Sequence, residues 1–250
     1  MEAAKKWKAL SSAVALVVAS QLVIGCAATR GRHFEDPEKS GFLGDYSQLK
    51  EDPNYPKAEL IYIKPGAQWS QYTSVNLESA GLWVTDNTKN ISPEDQKLLT
   101  DILYAKMSEE LGKLFVLTNQ PGPNTLRLRV AMTQAQGAKV PLRVVSTIVP
   151  QLRSSTMVLG MGTDTAFTVG SATVEMEALD AVTNERLGAG VDNRAGTKVI
   201  FAKRTFTTWG DVEAACDVWS TRTAWLLARL GVQRKPGVPM PEEPSESRSL

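Results

Sequence analysis

Two glutamates, Glu175 and Glu177, stand two residues apart in a stretch that alternates polar and apolar side chains, with Asp180 following and Asp192 beyond a turn signal. Side chains at i and i+2 of a strand point the same way. Their spacing therefore falls near the about 5–9 Å over which two carboxylates divide glycoside hydrolysis between them. Arg127 and Arg129 have the same spacing in a second alternating stretch. A cross-strand ladder of opposite charges accounts for all four residues at once, and it is the better reading. Glu175, Glu177, Asp180, Arg127 and Arg129 are thus expected as a surface charge cluster.

Other chemistry has less to rest on. His33 is the single histidine and lies in an irregular N-terminal region, which leaves a Ser-His-Asp or Cys-His site without its base. Cys216 falls on an apolar helical stripe, where a thiol packs as a small hydrophobe. Zinc would need histidines or paired cysteines. The Asp180–Glu185 turn lacks the spacing of an EF-hand. Gly160-Met161-Gly162 is not followed by the Lys-Ser/Thr of a phosphate loop. Trp69, Tyr72 and Trp83 could line a sugar or peptide groove, although core packing explains them more simply. The expectation is no catalytic residue, no metal and no cofactor.

The elements that must position these residues follow from periodicity. Ala58–Lys64 and Ser74–Thr85 read as strands. Ser92 is an N-cap, Pro93 suits the first turn, and Glu94 and Asp95 complement the positive helix end. Leu98, Leu99, Ile102, Leu103, Met107, Leu111 and Leu114 then recur at helical spacing, so the helix spans 93–114, about 33 Å at 1.5 Å per residue. Phe115-Val116-Leu117 is a short strand. Thr125–Thr133 and Thr168–Asp180 alternate cleanly, the pattern of an antiparallel sheet with one wet face. Asp180–Glu185 turns the chain into Arg186–Asp192. A second helix runs from about Trp209 to Leu230, with Thr208 as N-cap, Asp211 completing a capping box and Gly231 as the C′ residue. Residues 134–164 leave room for one more strand or short helix, because a structureless loop of ~30 residues is unusual.

The ends of the chain read differently. Lys5, Lys6 and Lys8 precede a largely apolar run from Ala9 to Ile24, the order of a secretory signal. The run is too short and too polar in the middle for a span of roughly 20 apolar residues. It ends on Val23-Ile24-Gly25-Cys26, which resembles the lipobox of bacterial lipoproteins: an aliphatic residue three before the cysteine and a small one directly before it. The resemblance implies cleavage between Gly25 and Cys26 and a thiol carrying diacylglycerol, with three acyl chains on the mature N-terminus. Ala27, in place of an Asp, points to the outer membrane. Without residues 1–25 the chain keeps 25 basic and 26 acidic residues of its 28 and 27, a net charge of −1. Nothing there attracts nucleic acid. Cys216 is left without a partner for an internal disulfide.

Residues 26–57, with Pro37, Pro53 and Pro56, read as a lipidated tether and lead-in. Within it Phe42, Leu43, Tyr46 and Leu49 are too apolar to stay in water, so this piece is expected to dock on the domain. Residues 58–231 form the domain, and 232–250, rich in Pro, Ser and Glu, form a disordered tail. The fold class is α+β, a mostly antiparallel sheet packed against two amphipathic helices after a cleaved signal peptide.

Ser40-Gly41-Phe42-Leu43 with Asp45-Tyr46 and Leu49, Ile61-Tyr62-Ile63, Ser92 with Glu94-Asp95, Leu126-Arg127-Leu128, Glu175-Met176-Glu177 with Asp180, and Asp192 with Arg194 together resemble domain-of-unknown-function family 3313. The family brings no activity or ligand with it. A Gly would be easier than Asn184 in the hairpin. The element order also looks like the envelope domains of the TolB amino-terminal and curli-secretion-pore type, an analogy of architecture alone. These readings lead to a lipid-anchored, non-enzymatic binding or assembly module at the periplasmic face of the outer membrane. Its partners would be the bilayer, through acylated Cys26, and an envelope protein or cell-wall component. The alternatives are an oligomeric secretion-pore-like lipoprotein, whose hairpins only 134–170 could supply, and a cell-wall hydrolase using Glu175 and Glu177.

Overall fold

Ser92 opens the longer helix as the sequence predicts. In the computed structural model, which describes residues 29–31, 39–53, 59–83, 88–137, 170–196 and 209–244, its hydroxyl accepts from the backbone N–H of Asp95 at 3.1 Å. Helix α1 spans Pro93–Leu114. Its buried seam is Leu99, Leu103, Met107 and Leu111, one residue per turn. Leu98, expected on that stripe, is 46% exposed. The stripe is narrower than the periodicity suggests because α1 packs from one side only.

Helix α2 spans Gly210–Leu230 and buries Val212, Ala215, Cys216, Trp219, Thr223 and Leu227. It ends on Gly231 at φ +107, with Gly231 N–H donating to Ala228 O and Val232 N–H to Leu227 O. This left-handed stop is the one the sequence signals. Its start differs: the N-cap is Trp209, with no side-chain cap. The Asp211 carboxylate instead takes the Gly170 N–H at 2.7 Å. Thr208 lies outside the described residues, as do Gly25, Cys26, His33, Gly160-Met161-Gly162 and most of 134–164.

Among the described residues nine strands make one mixed sheet. They are β1 (Thr29–Gly31), β2 (Lys50–Glu51), β3 (Glu59–Ile63), β4 (Ser74–Leu77), β5 (Gly81–Leu82), β6 (Val116–Leu117), β7 (Thr125–Gln136), β8 (Ser171–Asp180) and β9 (Arg186–Gly196). The order across the sheet is β2-β3-β9-β8-β7-β4-β6, with β1 also pairing β9 and β5 also pairing β7. The β7–β8–β9 meander is antiparallel, as are β2, β3 and β1 against their neighbours. The other end is parallel: β4 runs with β6 and β7, and β5 with β7. The reason is α1, which carries the chain from β5 to β6 as a crossover; parallel neighbours need such a connection. The strand expected over 74–85 is two short ones, both laid along β7.

Both helices cover one face of the sheet. Trp209 Nε1 donates to Asp95 Oδ1 at 2.9 Å, and Lys106 pairs with Asp217 at 2.7 Å. The two helices therefore run in the same direction. Leu126, Leu128, Val130 and Met132 of β7, and Ala172, Val174 and Ala178 of β8, meet them in the main core. Burying a Leu or Met side chain contributes about 1.5–3 kcal/mol, so this layer supplies most of the folding drive.

The opposite face departs from the expected wet side. Leu43, Ala189 and Val191 form a second buried cluster, with Phe42, Tyr46, Leu49, Leu60 and Tyr62 packed on it. The segment 39–49 thus docks as a strap across the back of the sheet. The C-terminal end also differs from a tail disordered from residue 232. Val232 is buried, Gln233 N–H donates to Tyr72 O, and Lys235 N–H donates to Leu114 O at 2.8 Å. The Lys235 ammonium bonds Gly112 O as well. The last carbonyls of a helix have no partner within it, and Lys235 supplies donors to those of α1.

Candidate functional site

On β8 the side chains of Glu175 and Glu177 leave the sheet on the strap side, while Val174 and Ala178 enter the main core. Register sets Glu177 opposite Arg129 of β7, and Glu175 opposite Ala131. A bulge between Ala178 and Leu179 brings Arg186 of β9 beside the same carboxylate. Glu177 consequently pairs with two guanidiniums: Arg129, and Arg186 at 3.0 Å. Glu175 has no opposite charge across the strands. Its Oε2 accepts from the Tyr46 hydroxyl at 2.6 Å.

The expected cluster is therefore assembled, but two of its members are not at the surface. Glu175 is 1% exposed and Glu177 3%. The strap is what covers them. Gly41 and Gly44 take positive φ, +90 and +70, which turns the strap tightly enough to bring Tyr46 back over Gly41; such φ values cost glycine little. The Tyr46 oxygen accepts from Gly41 N–H at 3.0 Å and lies 3.3 Å from Ser40 Oγ. Burial and the neighbouring Glu175 raise the Tyr46 pKa, so the phenol keeps the proton it donates. Arg186 donates to the carbonyls of Leu43 and Asp45, the latter at 2.7 Å. Phe42 lies under Arg129 at 4.9 Å and edge-on to Trp83 at 5.6 Å. Trp83 Nε1 closes the strap onto Ser40 O at 2.9 Å.

The outer rung is more exposed. Arg127 and Arg129 both reach Glu78, at 3.1 and 3.4 Å, and Arg127 donates to Asn184 Oδ1 at 2.7 Å. Asn184 holds φ +60, a conformation asparagine tolerates better than most residues. It does so where a glycine would be easier. Asp180 is taken up by its own turn: Oδ1 accepts from Val182 N–H, Thr183 N–H and Thr183 Oγ1, and Oδ2 from Tyr72. The Thr183 N–H foremost holds its pKa below the usual carboxylate range.

Asp192, beyond the turn, stands apart from the clasp. It pairs with Val174 toward the other end of β9 and turns to the helix face, where Arg194 donates at 2.9 Å and Arg222 of α2 at 3.4 Å. Sequence reasoning missed this pairing, and it missed Arg186 and Glu78; Trp83, considered for a groove, holds the strap instead. Arg186 was findable from its place just after the hairpin, within cross-strand reach of Glu177. Trp69 and Tyr72, considered for a groove, are buried in the main core. Beneath α2 lies an apolar cavity of about 60 Å³, bordered by Ile61, Trp69, Gly188, Gly190, Leu226 and Leu230. That is far below the ~300 Å³ at which small-molecule sites begin.

This constellation is a clasp: a salt-bridged carboxylate, a buried carboxylate bonded to a phenol, and a glycine-turned strap drawn over both. An α+β domain closed on its own N-terminal strap is the class of protein that emerges. The sequence matches the family described as "Protein of unknown function (DUF3313)" over residues 38–223. The chain belongs to that family, and the match begins where the strap begins. No curated protein matches the sequence. Among solved structures it is similar to a PelC dodecamer from Paraburkholderia phytofirmans, seen as a point variant and in a second crystal form. Each is 9% identical with a TM-score of 0.36; the matches cover 65% and 64% of this chain and 95% and 96% of those chains.

Proposed function

We propose that the protein is a lipoprotein anchored through acylated Cys26 to the periplasmic face of the bacterial outer membrane, where it serves as a non-enzymatic binding or assembly module for an envelope protein or cell-wall component. The observation that carries the reading is the ordered series Lys5, Lys6, Lys8, the apolar run, and Val23-Ile24-Gly25-Cys26. Three acyl chains exceed the two signals that suffice for stable anchoring.

The clasp adds support for a non-enzymatic role. A general acid needs a carboxyl free to give up and regain its proton near the substrate. Glu177 is instead paired with Arg129 and Arg186 beneath the strap, which weakens the hydrolase alternative. The pore alternative rests on residues largely outside the described ones. The test is metabolic labelling with tritiated palmitate. Label is expected on the wild-type protein and lost in Cys26→Ser; undiminished labelling of the variant would reject the anchor.

A further inference from the structure

The sheet register gathers one row of residues at one end of the domain. Gln136 of β7 faces Ser171 of β8, Ser171 faces Ala195 of β9, and Ala195 faces Arg30 of β1. Thr29, the first residue of β1, pairs with Gly196 just beyond that row. Because β1 is antiparallel to β9, the chain preceding Thr29 leaves from this end. Only Ala27 and Ala28 separate Thr29 from Cys26. Three residues of extended chain reach roughly 10 Å.

We infer that this two-residue link holds the Gln136–Ser171–Ala195–Arg30 end of the sheet against the headgroup surface of the bilayer, with the Asp180–Glu185 hairpin as the distal end. The inference rests on acylation of Cys26. The lead-in is then no spacer. Thr29–Gly31 is already part of the sheet, and residues 39–49 double back as the strap, so the domain has no slack with which to stand away from the membrane. Strand β8 carries ten residues from Ser171 to Asp180, about 30 Å at roughly 3.3 Å per residue. The hairpin is therefore several anchor lengths from the lipid. The back of the sheet gives little cause to lie flat. Arg127, Arg129 and Arg186 on that face are paired with Glu78 and Glu177, so these three guanidiniums are not free to draw it onto anionic headgroups.

The test uses the full chain, processed in a bacterial host and reconstituted in phosphatidylethanolamine–phosphatidylglycerol vesicles containing a nitroxide-headgroup lipid. A bimane label is placed at Ser171→Cys or at Val182→Cys, the latter site 60% exposed on the hairpin. Cys216 is fully buried and stays unlabelled. Mass spectrometry of the same preparations reads acylation, and thermal unfolding confirms that each variant folds. The expected result is acylated protein with loss of fluorescence at 171 and none at 182. Inserting about ten Gly/Ser residues between Ala28 and Thr29, roughly 17 Å of extra reach, should restore fluorescence at 171. Acylated protein quenched equally at both positions, or at neither, overturns the orientation and leaves the anchor standing. Protein that is not acylated overturns both.

Discussion

Replacing Glu177 by Gln keeps the volume of the side chain and removes its charge. The side chain is 4% exposed and bound by two guanidiniums. Removing one partner of a buried ion pair costs about 3–5 kcal/mol because the other charge is stranded. Here the stranding is incomplete. Arg129 is 31% exposed and keeps Glu78, and Arg186 keeps the carbonyls of Leu43 and Asp45. The low end of that range, about 3 kcal/mol, is therefore expected. In a chain of this size it corresponds to a fall of about 6–12 °C in Tm. The assay is urea unfolding of the full chain in detergent, followed by tryptophan fluorescence, in a double-mutant cycle with Arg186→Met. A coupling of about 1–3 kcal/mol is expected for residues in direct contact. An exposed charge ladder would lose only about 0.2–1 kcal/mol. A loss under about 0.5 kcal/mol, with the two substitutions additive, would refute the buried clasp.

Other expectations follow from the same contacts. Tyr46→Phe removes the hydroxyl that donates to buried Glu175; it should cost about 1.5–3 kcal/mol and open residues 39–49 to limited proteolysis, and unchanged cleavage would contradict the strap's docking. Burial pushes the Cys216 thiol up to about 12, so at pH 8 a disulfide reagent should titrate no thiol in the native domain and one after denaturation. Asp211 has its pKa raised by burial, against the Gly170 N–H that lowers it. Its favourable contribution is complete below the unfolded value and lost as pH rises through the folded one. Asp211→Asn should therefore be more stable than wild type at pH 7 and equal to it near pH 3, by chemical denaturation at each pH. Asp180, whose pKa is lowered, should show the opposite: the deficit of Asp180→Asn is present at neutral pH and disappears as pH falls below the ordinary carboxylate value.

The local grammar of the chain was legible in its residues. Ser92-Pro93 with Glu94 and Asp95 places the start of α1, and Gly231 the end of α2, because caps act within a few residues of the backbone they satisfy. Alternation over Leu126–Met132 and Ala172–Ala178 separates the core face of each strand from the other, because the strand period is two. The ladder joining Glu177 to Arg129 was readable for the same reason, and so was the docking of Phe42, Leu43 and Tyr46. The expectation of a cleaved, acylated start rests on Lys5, Lys6, Lys8 and Val23-Ile24-Gly25-Cys26 alone, all of them outside the described residues.

What sequence could not supply was where the second apolar piece would land. Alternating strands look half-wet until something covers the polar face. Nothing local says that Ser40–Tyr46 will cross β7, β8 and β9 and bury Glu175 and Glu177. Nor does it say that Thr29, expected in a tether, will pair with Gly196 and join the sheet. Both depend on contacts between residues more than eighty positions apart. Only the closed tertiary structure makes these favourable, because it alone removes both partners from water together.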